Sequence, residues 1–160
     1  MTETADIAAR VAASLVARKQ TIAVAESSAG GLVCAALLAV PGASAYFAGG
    51  GVIYTKSARQ ALLGIEPADL AGMRPSTEAY ASLLARRVRE KLGADWALAE
   101  TGAAGPSGNG YGDAAGHACF AVCGPIKLAR TLETGSADRL GNMQAFAAAA
   151  LALLEKALAR

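Results

Sequence analysis

The run Thr21-Ile-Ala-Val-Ala-Glu-Ser-Ser-Ala-Gly-Gly31 passes from strand to turn to helix, and the fold follows from how that junction is read. Thr21 to Ala25 is a short apolar, partly β-branched run of the kind that fills a buried strand. Glu26, Ser27 and Ser28 then cross a turn. Gly30-Gly31 allows close backbone approach before the apolar segment Leu32 to Val40. Polar side chains at a strand-to-helix junction sit where the N–H groups that open the helix can receive an anion or a developing oxyanion. The same serines have a plainer use as helix caps, and the turn taken alone leaves both uses open.

Upstream, Asp6 to Lys19 places Ile7, Val11, Leu15 and Val16 at helical spacing, with Arg18-Lys19 at the end that favours cations. Downstream, after Pro41-Gly42, Tyr46-Phe47 and Val52-Ile53-Tyr54 read as strand material broken by Gly49-Gly50-Gly51, a bend or a point of close backbone approach. Lys56 to Gly64 reads as a short helix ended by its glycine, and Pro67 to Leu70 as a further helical turn. Thr77 to Leu92 is a longer helix with Tyr80, Leu83, Leu84 and Val88 along its apolar stripe. Ala94 to Glu100 returns to strand, and Thr101 to Gly116 reads as a glycine-rich loop, either of the functional kind that gives access to the backbone or a plain surface excursion. His117 to Cys123 and Ile126 to Thr134 form a hairpin around Gly124-Pro125, followed by a last helix from about Asp138 to Ala159. Strands alternating with helices, then a hairpin, predict one α/β domain over 1–160, three layers deep (α/β/α), with a mixed sheet.

A chain of 160 residues buries roughly two thirds of its unfolded surface and needs no disulfide or metal staple. Its 15 basic and 13 acidic residues nearly balance, and the one basic cluster, Arg86-Arg87-Arg89-Lys91, lies along a helix as a solvated face. Nucleic acid is therefore not an expected partner. The apolar fraction is 54%, but aromatics are only 5% and much of the rest is Ala and Gly, which predicts close packing of helices on the sheet. Ala145 to Leu158 is interrupted by Glu155 and Lys156, short of a membrane span. The acidic start, Met1 to Asp6, does not resemble a secretory signal. Cys34, Cys119 and Cys123 have no metal-ligand spacing, and a reducing cytoplasm is the expected location.

Several chemistries are excluded by what the chain does not contain. His117 is the only histidine, lies in an apolar strand, and reads as a core residue more readily than as part of a Ser-His-Asp triad. Ser27 is flanked by Ala25 and Ala29, so the Gly-x-Ser-x-Gly elbow is absent, and no Gly-Lys-Ser/Thr follows a glycine cluster. No zinc or di-metal constellation stands out. What remains is a serine hydroxyl that needs a proton acceptor other than histidine. Lys56 and Arg59 follow Tyr54 and share a helical face. Lysine can give up its proton when desolvated, whereas arginine can only clamp or stabilise an anion.

Four motifs together resemble the CinA C-terminal domain family, the nicotinamide-nucleotide amidohydrolases, over nearly the whole chain. The family's Ala-Glu-Ser-Cys-Thr-Gly-Gly stands here as Ala25-Glu26-Ser27-Ser28-Ala29-Gly30-Gly31, and its Val-Pro-Gly-Ser-Ser-Ala as Val40-Pro41-Gly42-Ala43-Ser44-Ala45. Its Phe-x-Gly-Gly-Val-Val-Ala-Tyr-Ser-Asn-Glu-Ala-Lys is matched by Phe47 to Arg59, and its Thr-Gly-Ile-Ala-Gly-Pro by Thr101-Gly102-Ala103-Ala104-Gly105-Pro106. The resemblance implies hydrolysis of the carboxamide of nicotinamide mononucleotide to the acid and ammonia, with neither metal nor cofactor, by a homodimer or higher homo-oligomer. It implies Ser27 as nucleophile, Tyr54 beside it, and a nucleotide held by the loop from Thr101 through Gly102 and Gly105. Glu26, Ser28, Gly30 and Gly31 fall in the binding turn, whose N–H groups are candidates for an oxyanion hole.

The departures cluster where chemistry is expected. Ser28-Ala29 replaces Cys-Thr, and the family's lysine, the expected activator of the serine, falls on Arg59. Lys56, one helical turn earlier, is the substitute base that the sequence offers. The alternative reading is a catalytically impaired paralogue that keeps a nucleotide- or anion-binding pocket for a regulatory or partner-binding role.

Overall fold

Ile22-Ala-Val-Ala25, Trp96-Ala-Leu-Ala99 and Phe120-Ala-Val-Cys123 share one pattern, a large residue alternating with a small one. Alternate side chains of a strand point to opposite faces, so this pattern gives a sheet one bulky face and one face of alanine and cysteine. The computed structural model describes residues 2–160 and has the element order α1 (Glu3–Arg18), β1 (Ile22–Glu26), α2 (Leu32–Leu38), β2 (Phe47–Val52), α3 (Lys56–Leu63), α4 (Glu78–Leu92), β3 (Trp96–Ala103), β4 (His117–Cys123), β5 (Leu128–Glu133) and α5 (Arg139–Leu158). The bulky face (Ile22, Val24, Trp96, Leu98, Phe120) packs with α1, α2 and α5. On the other face, Ala23, Ala25, Ala97, Ala99 and Ala121 leave room for α4 to lay Tyr80, Leu83, Leu84 and Val88 directly on the sheet. The predicted three-layer α/β/α arrangement with a mixed sheet is the one observed.

The strand order is β2-β1-β3-β4-β5, with β1 parallel to both neighbours and β3, β4 and β5 antiparallel in turn. From β1 the chain crosses through α2 to β2, then returns through α3 and α4 to β3 on the other side of β1. That reversal opens a crevice beyond the carboxyl ends of β1 and β3, the usual ligand position in open α/β sheets. Ser27 follows the end of β1, and Thr101-Gly102 lies near the end of β3.

Three sequence expectations change. Gly49-Gly50-Gly51 does not break the strand; β2 runs through it, with Gly50 opposite Val24. A Cβ on Gly50 would lie 2.6 Å from Cys34 Sγ and 2.9 Å from the Val24 carbonyl oxygen, so the glycine lets α2 and β1 close onto the strand. Thr101 and Gly102 belong to β3 and not to the following loop, because β4 supplies their partners, Cys119 and Ala118. The second hairpin strand is shorter than expected, Leu128–Glu133.

Candidate active site

Beneath the turn that follows β1 lie two fully buried carboxylates. Glu26 accepts the N–H groups of Gly31 (2.8 Å), Val33 (3.1 Å) and Cys34 (2.9 Å), and so occupies the start of α2. Glu100, at 1% exposure, accepts the N–H groups of Ser27 (2.9 Å) and Ala29 (2.8 Å) and the hydroxyl of Ser28. Burial pushes the Glu100 carboxyl up, its three hydrogen bonds pull it down, the nearby Glu26 charge adds to the rise, and the balance is about 7. Gly30 N–H and Leu32 N–H are taken by the carbonyls of Ser27 and Ala29. The expected oxyanion hole around Ser28 to Gly31 is therefore largely filled from below. Among the described residues only the Ser28 N–H of that turn lacks an internal acceptor.

Above the turn is an open cleft of about 310 Å³. Ser27 lines it together with Tyr54, Lys56 and Arg59 from the β2–α3 junction and Thr101 and Gly102 from β3. Residues that the sequence did not single out complete it: Ser76, Tyr80, Asn109 and Tyr111. No Asp or Glu is part of this lining, which carries two cations, Lys56 and Arg59. A larger groove of about 470 Å³ between α1, α2 and α5 is lined mainly by Ala, Leu and Thr, without converging polar groups that would orient a ligand.

The model of the CinA C-terminal domain matches residues 4–158. The chain belongs to the CinA C-terminal domain family. A CinA-like protein of Desulforapulum autotrophicum is 38% identical over 144 residues, covering 89% of this chain and 34% of its own length. A CinA-like protein of Prochlorococcus marinus is 43% identical over 108 residues, 68% of this chain and 25% of its own. This CinA domain thus spans about a third or less of the curated relatives it matches. Among solved structures, a competence-damaged protein (CinA) superfamily protein of Klebsiella pneumoniae superposes with a TM-score of 0.90 at 29% identity, covering 98% of each chain. The competence/damage inducible protein of Agrobacterium tumefaciens gives 0.91 at 26% identity, with 100% of this chain and 98% of that one covered.

Within this CinA domain, the site residues expected from the sequence divide by position. Ser27, Tyr54, Lys56, Arg59, Thr101 and Gly102 meet at the cleft. The polar side chains of Glu26 and Ser28 are engaged beneath the turn, and neither residue is part of the cleft lining. Gly30 faces α5, where a Cβ would meet Met143 Cε at 2.6 Å, and Gly31 caps α2 at φ 99°. Gly105 sits behind the cleft and offers its carbonyl to Arg139 Nη1 at 2.5 Å. The other Arg139 nitrogen, Nη2, reaches Tyr54 Oη at 3.4 Å, which brings the start of α5 to the cleft mouth.

One cleft wall depends on a strained residue. Ser76 has φ +62°, its N–H donates to Thr101 Oγ1 at 3.1 Å, and its carbonyl accepts from His117 Nε2 at 2.7 Å. His117 Nδ1 meets the Glu133 carboxylate. Both partners are acceptors, an arrangement that favours the doubly protonated ring. Burial pushes its pKa down, but Glu133, the Ser76 carbonyl and the Asp113 charge outweigh that, and the net shift is upward. No histidine reaches Ser27, whose own hydrogen bonds among the described residues run through its backbone.

No cluster of three metal-type ligands forms among the described residues. None of their helices is long and apolar enough to cross a membrane.

Proposed function

We infer that the cleft takes a pyridine nucleotide, or a related carboxamide, and hydrolyses its amide through Ser27. The observation that carries this reading is the convergence of Ser27, Tyr54, Lys56, Thr101 and Gly102, from three separate segments, on one acid-free cleft at the switch point of the sheet. The Ser27 hydroxyl adds to the amide carbon, ammonia leaves with the proton taken from the serine, and water then cleaves the acyl ester to give the carboxylate and free Ser27. Lys56 is the side chain of the lining that can take up and return the proton, since Arg59 stays charged. The Ser28 N–H is the donor of the turn left for the developing oxyanion.

Ammonia release from nicotinamide mononucleotide tests the reading. Wild type is expected to turn the substrate over, Ser27→Ala to fall to background, and Lys56→Ala to lose roughly 100-fold or more, the usual scale of general-base catalysis. Background rates in both wild type and Ser27→Ala would remove the catalytic claim. A second reading, a binding domain without turnover, draws on the filled N–H groups of the turn and on Arg59 in place of the family lysine. It is separated from the first by nucleotide binding without ammonia release that persists after Arg59→Lys.

A further inference from the structure

Arg59 is 9% exposed and lines the cleft with Ser27. No ion pair reaches its guanidinium among the described residues, and its one hydrogen bond is a long one, Nη1 to Tyr80 Oη at 3.5 Å, with Cζ 5.8 Å from the Tyr80 ring centre. Even more exposed arginines are matched: Arg74 grips Asp113 at 2.7 and 3.1 Å, and Arg87 binds the Gly64 carbonyl at 2.9 Å and pairs with Asp69 at 3.4 Å. A largely enclosed guanidinium whose remaining donors have no protein acceptor has as its complement a planar anion that accepts two parallel N–H bonds.

The geometry points to Arg59 as a carboxylate receptor, so that the ligand this cleft prefers is an aromatic carboxylate carried on a nucleotide, not the corresponding carboxamide. This rests on the pyridine-nucleotide reading above. A phosphate dianion at Arg59 would place two charges against one in a largely enclosed position, whereas a carboxylate balances it one to one. Arg139 is exposed and suits the phosphate at the mouth, where water shares the charge. Tyr54, Tyr80 and Tyr111 line the space with aromatic surface suited to a planar ring, and the Arg74 guanidinium lies 5.4 Å from the Tyr111 ring centre. A carboxamide has the same shape but turns an NH2 group toward one arm of the guanidinium, donor against donor, and loses half the fork. The site therefore retains the acid that the proposed hydrolysis would release.

Calorimetric titration at pH 7.5, in a Ser27→Ala background that cannot turn over the amide, tests the assignment with nicotinic acid mononucleotide, nicotinamide mononucleotide, ribose 5-phosphate and benzoate. The acid nucleotide is expected to bind roughly 10- to 100-fold more tightly than the amide, the difference made by a charge-assisted bond. Adding Arg59→Gln is expected to erase that preference while sparing ribose 5-phosphate, and Arg59→Lys to retain part of it. Equal binding of acid and amide, or a preference that survives Arg59→Gln in protein with an unchanged circular dichroism spectrum, overturns the carboxylate assignment and leaves the nucleotide reading standing. Loss of ribose 5-phosphate binding in Arg59→Gln also overturns it, by assigning the phosphate to Arg59. Benzoate binding that depends on Arg59, with neither nucleotide bound, supports the assignment and removes the nucleotide reading. No binding of any probe overturns both.

Discussion

Two buried charged groups flank the turn after β1, and the fold treats them in opposite ways. Below it, the Glu100 carboxylate accepts three hydrogen bonds, and Glu26 beside it accepts three more. Above it, the Arg59 guanidinium is nearly as buried but has a single long contact. Burial of a charge does not by itself separate structure from function; the state of its hydrogen bonds does. A charge whose partners are all internal holds the chain together, while one left incomplete is waiting for something from outside.

The contrast breaks most visibly at Glu26. Glu26→Ala leaves three N–H groups at the start of α2 without acceptors in a fully buried position, at about 1–3 kcal/mol each less what entering water recovers. Denaturant unfolding should show a loss of roughly 3 kcal/mol or more, against a change within about 1 kcal/mol for Arg59→Gln, which severs no strong bond. Comparable losses at the two positions would erase the distinction.

A smaller effect follows from Glu100. Its pKa is raised from 4.5 in the free state to about 7, so the folded protein binds the extra proton, and stability is highest below pH 4.5 and declines as pH rises through 7. The decline is on the order of 3 kcal/mol at ~1.4 kcal/mol per unit. Glu100→Gln, whose carbonyl keeps the two N–H bonds, should flatten the stability profile over that window. A slope that survives the substitution belongs to another group.

The smallest effect is at His117. Its raised pKa gives stability that is fully present below the free value of 6.5 and lost as pH climbs through the folded value. His117→Gln should remove this alkaline loss while leaving the Glu100 slope intact. The ring nitrogen shifts in NMR spectra of wild type should titrate with a midpoint above 6.5.

The strand, turn and helix around Ser27 were legible because each is local: an apolar run, a small-residue turn and a second apolar run. Gly64 is equally local and ends α3 in the left-handed conformation. The plainer use of the serines as helix caps is not taken, since Gly31 is the N-cap of α2 and Glu26 accepts the N–H groups there. Glu100 was not legible. It reads as the last residue of a strand until the parallel register, Ala25 opposite Ala99, sets it beside Glu26 under the turn. The same holds for Gly50, whose missing side chain makes sense only once Cys34 of α2 lies over it, and for Thr101 and Gly102, which need β4 to become strand. Arg139 reaches the cleft mouth from α5, across 85 residues of chain to Tyr54, a distance over which no spacing pattern extends.

The occupation of the start of α2 by Glu26 also bears on how such a domain changes over generations. A field made by backbone dipoles is common to every sequence that keeps the fold, but here that field is neutralised internally. The pull on a ligand is left to Lys56, Arg59 and Arg139, three side chains that single codon changes rewrite without touching the turn beneath. Ligand charge preference and foldability are inherited separately in this scaffold.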